Sequence, residues 1–219
     1  MNLSEAIKKR HSVRKYKDIK IDAEAEKELR SLINECNRES GLNIQLFTNE
    51  PKAFGGMMAH YGNFSGCKNY IALAGEKGAQ EKCGYYGEKL VLRAQQLGLN
   101  SCWVAMTYSK SKAPCVINKG EKLHIVIALG YGETQGTAHK SKPMSQLCKT
   151  GGIMPQWFKD GMEAAMLAPT AVNQQKFMIT LDGNTVSAKA LTGFYSKIDL
   201  GIVKYHFEIG AGRENFKWA

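Results

Sequence analysis

YYGEKLVLRAQQLGLNSCW, residues 85–103, continuing as VAM at 104–106, is the stretch on which the fold class turns. Tyr86, Leu90, Ala94 and Leu97 recur at a spacing that lines one side of a helix, and Gly98 supplies the stop. The spacing predicts a helix over roughly 79–97, with a strand at Cys102–Met106 directly behind it. Working outward, HIVIAL at 124–129 is a mostly apolar run closed by Gly130, expected as a central strand buried on both faces. Tyr70–Ala74 and Phe177–Leu181 read as further strands, with Asp182-Gly183-Asn184 as a turn. Asp22 is a candidate cap for a helix whose buried face is Leu29, Leu32, Ile33 and Cys36, stopped by Gly41. Phe158, Met162, Ala165 and Met166 share a face of a helix that must end before Pro169. Asp199 is expected to cap a last helix carrying Leu200, Val203 and Phe207. Helices and strands interleave along the chain, which reads as α+β.

The second half carries a faint echo of the first. DLGIVKYHFEIGAGRENFKW at 199–218 follows the pattern of residues 85–103: Gly201 and Gly212 stand as far apart as Gly87 and Gly98, and Trp218 answers Trp103. Two amphipathic helices that each end in glycine can also align by chance. A real duplication would build an internal pseudo-dimer with a cleft between its halves. On that reading 1–150 is a first half and 151–219 a shortened second half.

With 219 residues, 43% of them hydrophobic and 23% charged, the chain can bury a sizeable core. No apolar run approaches the roughly 20 residues that span a bilayer, so no membrane association is expected. The opening MNLSEAIKKR has no apolar stretch behind its charges and does not read as a secretory signal; a cytoplasmic location is expected. Six scattered cysteines form no CxxC pair, so reduced thiols rather than a metal site are expected. The net charge of +10 favours anionic partners. No dense Lys/Arg run with interleaved aromatics appears, so nucleic acid is not the expected partner; a phosphorylated cofactor suits the charge.

Three segments carry candidate chemistry. In Arg10-His11-Ser12-Val13-Arg14, alternate residues of an extended chain share a face, so forked guanidinium donors and a hydroxyl can converge on a phosphate. A solvated basic helix end is the plainer alternative for that segment taken alone. In APTAVNQQKF at 168–177, small residues permit close approach of a flat ring. Thr170, Asn173 and Gln175 offer groups that both donate and accept; a polar helix-to-strand loop explains the same residues. Lys140-Ser141-Lys142 could complete an anion pocket or form a basic surface loop.

Together, RHSVR at 10–14, GLNSCWVA at 98–105, KSK at 140–142 and APTAVNQQKF at 168–177 resemble the motifs of the nitroreductase family. The resemblance covers most of the chain. It implies a nitroreductase-like α+β fold, with a central mixed sheet flanked by helices. The order departs from the common pattern, in which the APTAVNQQKF-type loop comes early and serves a neighbouring subunit. This chain resembles a branch with two fused, degenerate halves, for which a monomeric pseudo-dimer is expected over an obligate homodimer.

By that resemblance the cofactor is FMN, bound non-covalently. Arg10, Ser12 and Arg14 would grip its phosphate and ribityl end, with His11 beside them. Lys140 and Lys142 would complete the phosphate pocket. Pro169, Thr170, Ala171, Asn173 and Gln175 would line the flavin, with Val104 and Ala105 facing its reactive edge. No protein acid–base dyad is needed, because a flavin supplies the redox chemistry itself. The expected activity is ping-pong transfer from NADH or NADPH to a small-molecule acceptor, such as a nitroaromatic or quinone. The alternative is a flavin-binding or sensor protein without rapid turnover. Lys176 and Phe177 stand where relatives carry Pro and Trp, a change beside the acceptor position.

Overall fold

The computed structural model describes residues 1–219. The chain packs as two compact units. The larger comprises Lys9–Ala79 and Lys89–Thr137; the smaller comprises Met1–Lys8, Gln80–Glu88 and Ala138–Ala219. Residues 80–88 thus group with 138–219.

After a short helix α1 (Leu3–Lys9), the larger unit begins with α2 (Ala23–Ser40). The Asp22 carboxylate accepts the N–H groups of Glu24 and Ala25, and Gly41 ends the helix in the left-handed conformation at φ 71°. Leu29, Ile33 and Cys36 form its buried face, as the spacing predicts, while Leu32 is only half-buried. Asn37 on α2 ties the next strand, β1 (Asn43–Phe47), from both sides: its Nδ2 donates to Ile44 O and its Oδ1 accepts Ile44 N–H. The loop beyond holds a one-turn helix α3 (Met57–Tyr61) and leads to β2 (Asn69–Glu76). Helix α4 (Gln80–Gln96) follows, then β3 (Asn100–Val104) and β4 (Glu121–Gly130).

These strands form one antiparallel sheet in the order β1-β2-β4-β3. β4 is interior, and Val126–Leu129 are fully buried, as the uninterrupted apolar run requires. Tyr70, Phe54, Phe64 and Tyr108 pack into the core on one side. Phe54 meets Phe64 edge-on with centroids 5.1 Å apart.

The smaller unit has its own four-stranded sheet, in the order β5-β6-β7-β8, formed by β5 (Cys148–Thr150), β6 (Phe177–Asp182), β7 (Thr185–Ala190) and β8 (Lys217–Trp218). β5 and β6 run parallel, β6 and β7 antiparallel, and β7 and β8 parallel. The mixed pairing therefore belongs to this sheet, while the sheet of the larger unit is wholly antiparallel. Gly183 takes φ 59° in the expected turn between β6 and β7.

Helix α5 (Gln156–Ala165) packs on α6 (Ser196–Ala211) through glycines. A Cβ on Gly161 would stand 2.7 Å from the Phe207 ring, and one on Gly210 2.5 Å from Asp160 O. α6 also crosses the first part of α4 at close range. A Cβ on Gly201 would lie 2.0 Å from Glu81 O, and one on Gly84 2.0 Å from Ile198 O. Phe158, Phe207, Phe216 and Trp218 fill the space beneath, largely edge to face. The start of α6 corrects one expectation. Its N-cap is Tyr195, in the left-handed region, and Asp199 lies a turn further in, buried and bonded elsewhere. No helix is long and apolar enough to cross a membrane.

Candidate functional site

Beyond α1 the chain runs extended along the edge strand β3. Ser12 pairs with Ser101 in parallel, and Val13 N–H donates to Ser101 O at 3.0 Å. Ser65 N–H donates to Arg14 O at 3.1 Å, and Glu133 N–H to Lys15 O at 2.9 Å. Val13 turns into the core, which sends its neighbours Ser12 and Arg14 to the exposed face, as alternation requires; the alternation ends there, because Lys15 is exposed and Tyr16 is buried. Segment 132–136 lies tightly over this piece. A Cβ on Gly136 would stand 2.7 Å from His11 Cβ, and Gly136 itself sits at φ 73°. Buried Asn100 holds that segment in place, accepting Gly132 N–H at 2.9 Å and donating to Gln135 Oε1 at 3.0 Å.

The electrostatics converge on one thiol. Burial raises the pKa of Cys102, while the Arg14 guanidinium, a hydrogen bond with Ser12 and the Arg10 guanidinium draw it down. Arg10, Ser12 and Arg14 therefore cluster around the middle of β3. Arg10 is 3% exposed, and Arg14 is exposed with its guanidinium 5.9 Å above the Phe64 ring. Two cations and a hydroxyl make a donor set matched to a phosphate dianion. His11 is half-buried, as is Ala105 just past β3, whereas the Val104 side chain lies in the core. Burial also pushes Cys36 up to about 11 and Cys67 up to about 12, which keeps both as unreactive thiols at neutral pH.

In the smaller unit, loop 168–177 is strained. Val172, Asn173 and Gln175 sit at φ 45°, 55° and 48°. A β-branched residue in the left-handed region is an outlier; such positions cost on the order of 1–3 kcal/mol each and persist only where the surroundings impose them. Val172 is nonetheless 90% exposed, so packing on its own side chain is not what holds it there.

The imposition comes from hydrogen bonds. Gln175 Nε2 donates to Lys140 O at 3.0 Å and its Oε1 accepts Lys142 N–H at 2.7 Å. Asn173 Nδ2 donates to Lys140 O at 2.9 Å. The Lys142 ammonium donates to Gln174 O at 2.7 Å, so it braces the loop. Thr170 Oγ1 accepts Gln175 N–H at 3.0 Å. His139 and Ser141 both bond to Met166 O, at 3.0 Å each, anchoring the bracing segment to the chain just past α5. On the far side, Asp199 accepts Ala171 N–H and Gln174 Nε2. Lys140 keeps its ammonium in solvent, and Pro169 is half-buried.

The four motifs thus join in two pairs. RHSVR and GLNSCWVA are bonded together in the larger unit, and KSK and APTAVNQQKF in the smaller. Sequence reasoning missed Asn100, Gln174 and Asp199. Asn100 and Gln174 lie inside quoted motifs yet carry no spacing signal for their bonds, and Asp199 reads as a cap until α6 is seen to begin three residues earlier.

Comparison with known proteins gives the lineage. Residues 2–211 match the model of the family described as "Putative TM nitroreductase". A Thermotoga maritima MSB8 structure described as a "putative nitroreductase" superposes with a TM-score of 0.70 at 23% identity, covering 98% of this chain and 85% of that one. A "putative nitroreductase in complex with fmn" from Desulfovibrio desulfuricans gives 0.51 at 19% identity, over 67% of this chain and 94% of its own. A Parabacteroides distasonis "Putative NADH dehydrogenase/NAD(P)H nitroreductase" gives 0.52 at 20% identity, over 67% and 97%. No curated protein matches the sequence. The family match runs over nearly the whole length and the solved structures share the fold: this chain belongs to the nitroreductase family.

Proposed function

We propose that this protein binds FMN and uses NADH or NADPH to reduce small acceptors of the nitroaromatic or quinone kind. The observation that carries the reading is the gathering of Arg10, Ser12 and Arg14 around Cys102, held by backbone bonds to Ser101. That donor set fits the cofactor's phosphate, and the bond from Val13 to Ser101 keeps it in register with β3. Within the smaller unit, loop 168–177 has its backbone and the Thr170 hydroxyl to offer a flavin, because the Asn173 and Gln175 amides are engaged with Lys140 and each other. Lys140 adds positive charge, and Lys142 keeps the loop's shape. Bound FMN would supply hydride and electron transfer, leaving the chain to bind, orient and shield it. The D. desulfuricans relative is described in complex with FMN, in keeping with this assignment.

The test begins with the cofactor released from purified protein, expected to be FMN. Arg14→Ala is expected to weaken FMN binding by roughly 1.5–3 kcal/mol, the scale of charge-assisted hydrogen bonds. Lys77→Ala, in an exposed turn, should leave it unchanged. Fluorescence titrations that do not separate the two variants would remove the phosphate assignment. With the donor and an acceptor varied together, double-reciprocal lines should be parallel, because both reactants use one flavin face in turn; intersecting lines would require a ternary complex.

A further inference from the structure

We infer that Asp199 is a positioning residue whose carboxylate, buried in the first turn of α6, holds the strained 171–175 loop in the shape that flavin binding uses. The inference rests on the FMN reading above, and its geometry lies wholly within the smaller unit.

Asp199 is 4% exposed and has no cationic partner. Its two oxygens accept Ala171 N–H at 3.0 and 3.1 Å, and Oδ2 also accepts Gln174 Nε2 at 2.8 Å. Gln174 is itself confined. Its Nε2 also donates to Phe194 O at 2.5 Å, and its Oε1 lies where a Cβ on Gly193 would stand 2.4 Å away. The left-handed residues Val172 and Asn173 fall between these two anchors, and Gln175 follows directly. A buried carboxylate without a cation is costly unless its hydrogen bonds are worth keeping. Here both bonds go to the strained loop and neither closes the start of α6, whose cap is Tyr195.

The titration of Asp199 supplies a readout. Burial pushes its pKa up to about 6, against the pull of the bonds from Gln174 and Ala171. Those causes are burial and hydrogen bonding alone. No charged side chain is among them. Protonating Asp199 turns one acceptor oxygen into a hydroxyl and removes the charge from both bonds. The grip on the loop therefore weakens as the pH falls below about 6. Global stability moves the other way. The folded pKa lies above the ordinary carboxylate value of 3.8, so between those two values the folded chain holds more protons than the unfolded one. The Asp199 contribution to stability falls as the pH rises through that window, and stays low above it.

The experiment compares wild type with Asp199→Asn at pH 5 and pH 8. In flavin-free protein, hydrogen exchange at the Ala171 amide, corrected for intrinsic rate, should be about tenfold faster in D199N at pH 8 and equal in the two proteins at pH 5. D199N should also melt higher than wild type at pH 8, because a buried charge is gone. With FMN as the probe, the ratio of dissociation constants, D199N over wild type, should be about ten at pH 8 and near one at pH 5. The phosphate of FMN titrates in the same range, but it affects both proteins alike and cancels in the ratio. Ala171 exchange that is equal in the two proteins at pH 8 overturns the inference. FMN that binds both proteins with the same constant at pH 8 overturns it too, while leaving the flavin reading standing. FMN that fails to bind wild type at either pH overturns the flavin reading, and the inference falls with it.

Discussion

Gly201→Ala is expected to lower the melting temperature by roughly 6–12 °C, from a loss of about 3 kcal/mol at 2–4 °C per kcal/mol for a chain of this size. The added Cβ would stand 2.0 Å from Glu81 O and 2.6 Å from Tyr85 N. Both are helix backbone, so no side chain can swing aside. The first part of α4 and α6 must separate, and the crossing at Gly84 opens with them, since its own Cβ position lies 2.0 Å from Ile198 O. Asp199 is two residues from Gly201, so the movement also pulls on the bonds that hold Ala171 and Gln174. Gly78→Ala is the control: nothing lies within 4 Å of its Cβ position, and its effect should stay within about 0.5 kcal/mol. Calorimetry of the two variants checks this. A Gly201→Ala protein that melts within a degree of wild type would show that the helices do not cross at this distance.

The second large effect concerns a pair that the proposed function does not use. His206 and Glu88 are both fully buried, with His206 Nε2 2.9 Å from Glu88 Oε1 and Nδ1 3.1 Å from Ala164 O. The Ala164 carbonyl can only accept, so Nδ1 carries a proton, and one further proton is shared between Nε2 and the carboxyl group. Glu88→Leu takes the carboxyl group away from the buried Nε2, and His206→Leu takes the imidazole away from the buried carboxyl group, while the Ala164 carbonyl keeps the Leu167 N–H at 3.0 Å. Each single change is expected to cost about 3–5 kcal/mol. The double variant Glu88→Leu/His206→Leu buries apolar volume in place of the pair and should recover much of that loss. Denaturant melts of the three variants complete the cycle. A double variant as unstable as the sum of the singles would mean the two residues are not coupled, contrary to their 2.9 Å contact.

Much of the framework was legible in the sequence because it rests on local rules. Asp22 and Gly41 bracket α2, Gly98 follows α4, and the HIVIAL run is the interior strand β4. Each is a matter of backbone conformation or of one uninterrupted apolar run, readable within a few residues. β7 was not legible: in TVSAKA only Val186 is fully buried, and the rest of the strand is held by pairing with β6. β8 is two residues long and exists only through its neighbour β7.

The candidate site divides in the same way. The amino-acid sequence by itself determined which donors are present and that Ser12 and Arg14 share a face, because alternation in an extended chain is a property of the backbone. It also determined the family, since its motifs are strings of residues. Tertiary structure decided what those residues are bonded to. Lys142 reads as an anion ligand until its ammonium is found on Gln174 O, and Gln175 reads as a flavin contact until its amide is found between Lys140 and Lys142. Asp199 reads as a helix cap until burial and two long-range hydrogen bonds give it the 171–175 loop instead. Those partners lie 25 to 35 residues away along the chain. Polar side chains offer several donors and acceptors of similar strength, and only the packing that removes water decides which of them must pair.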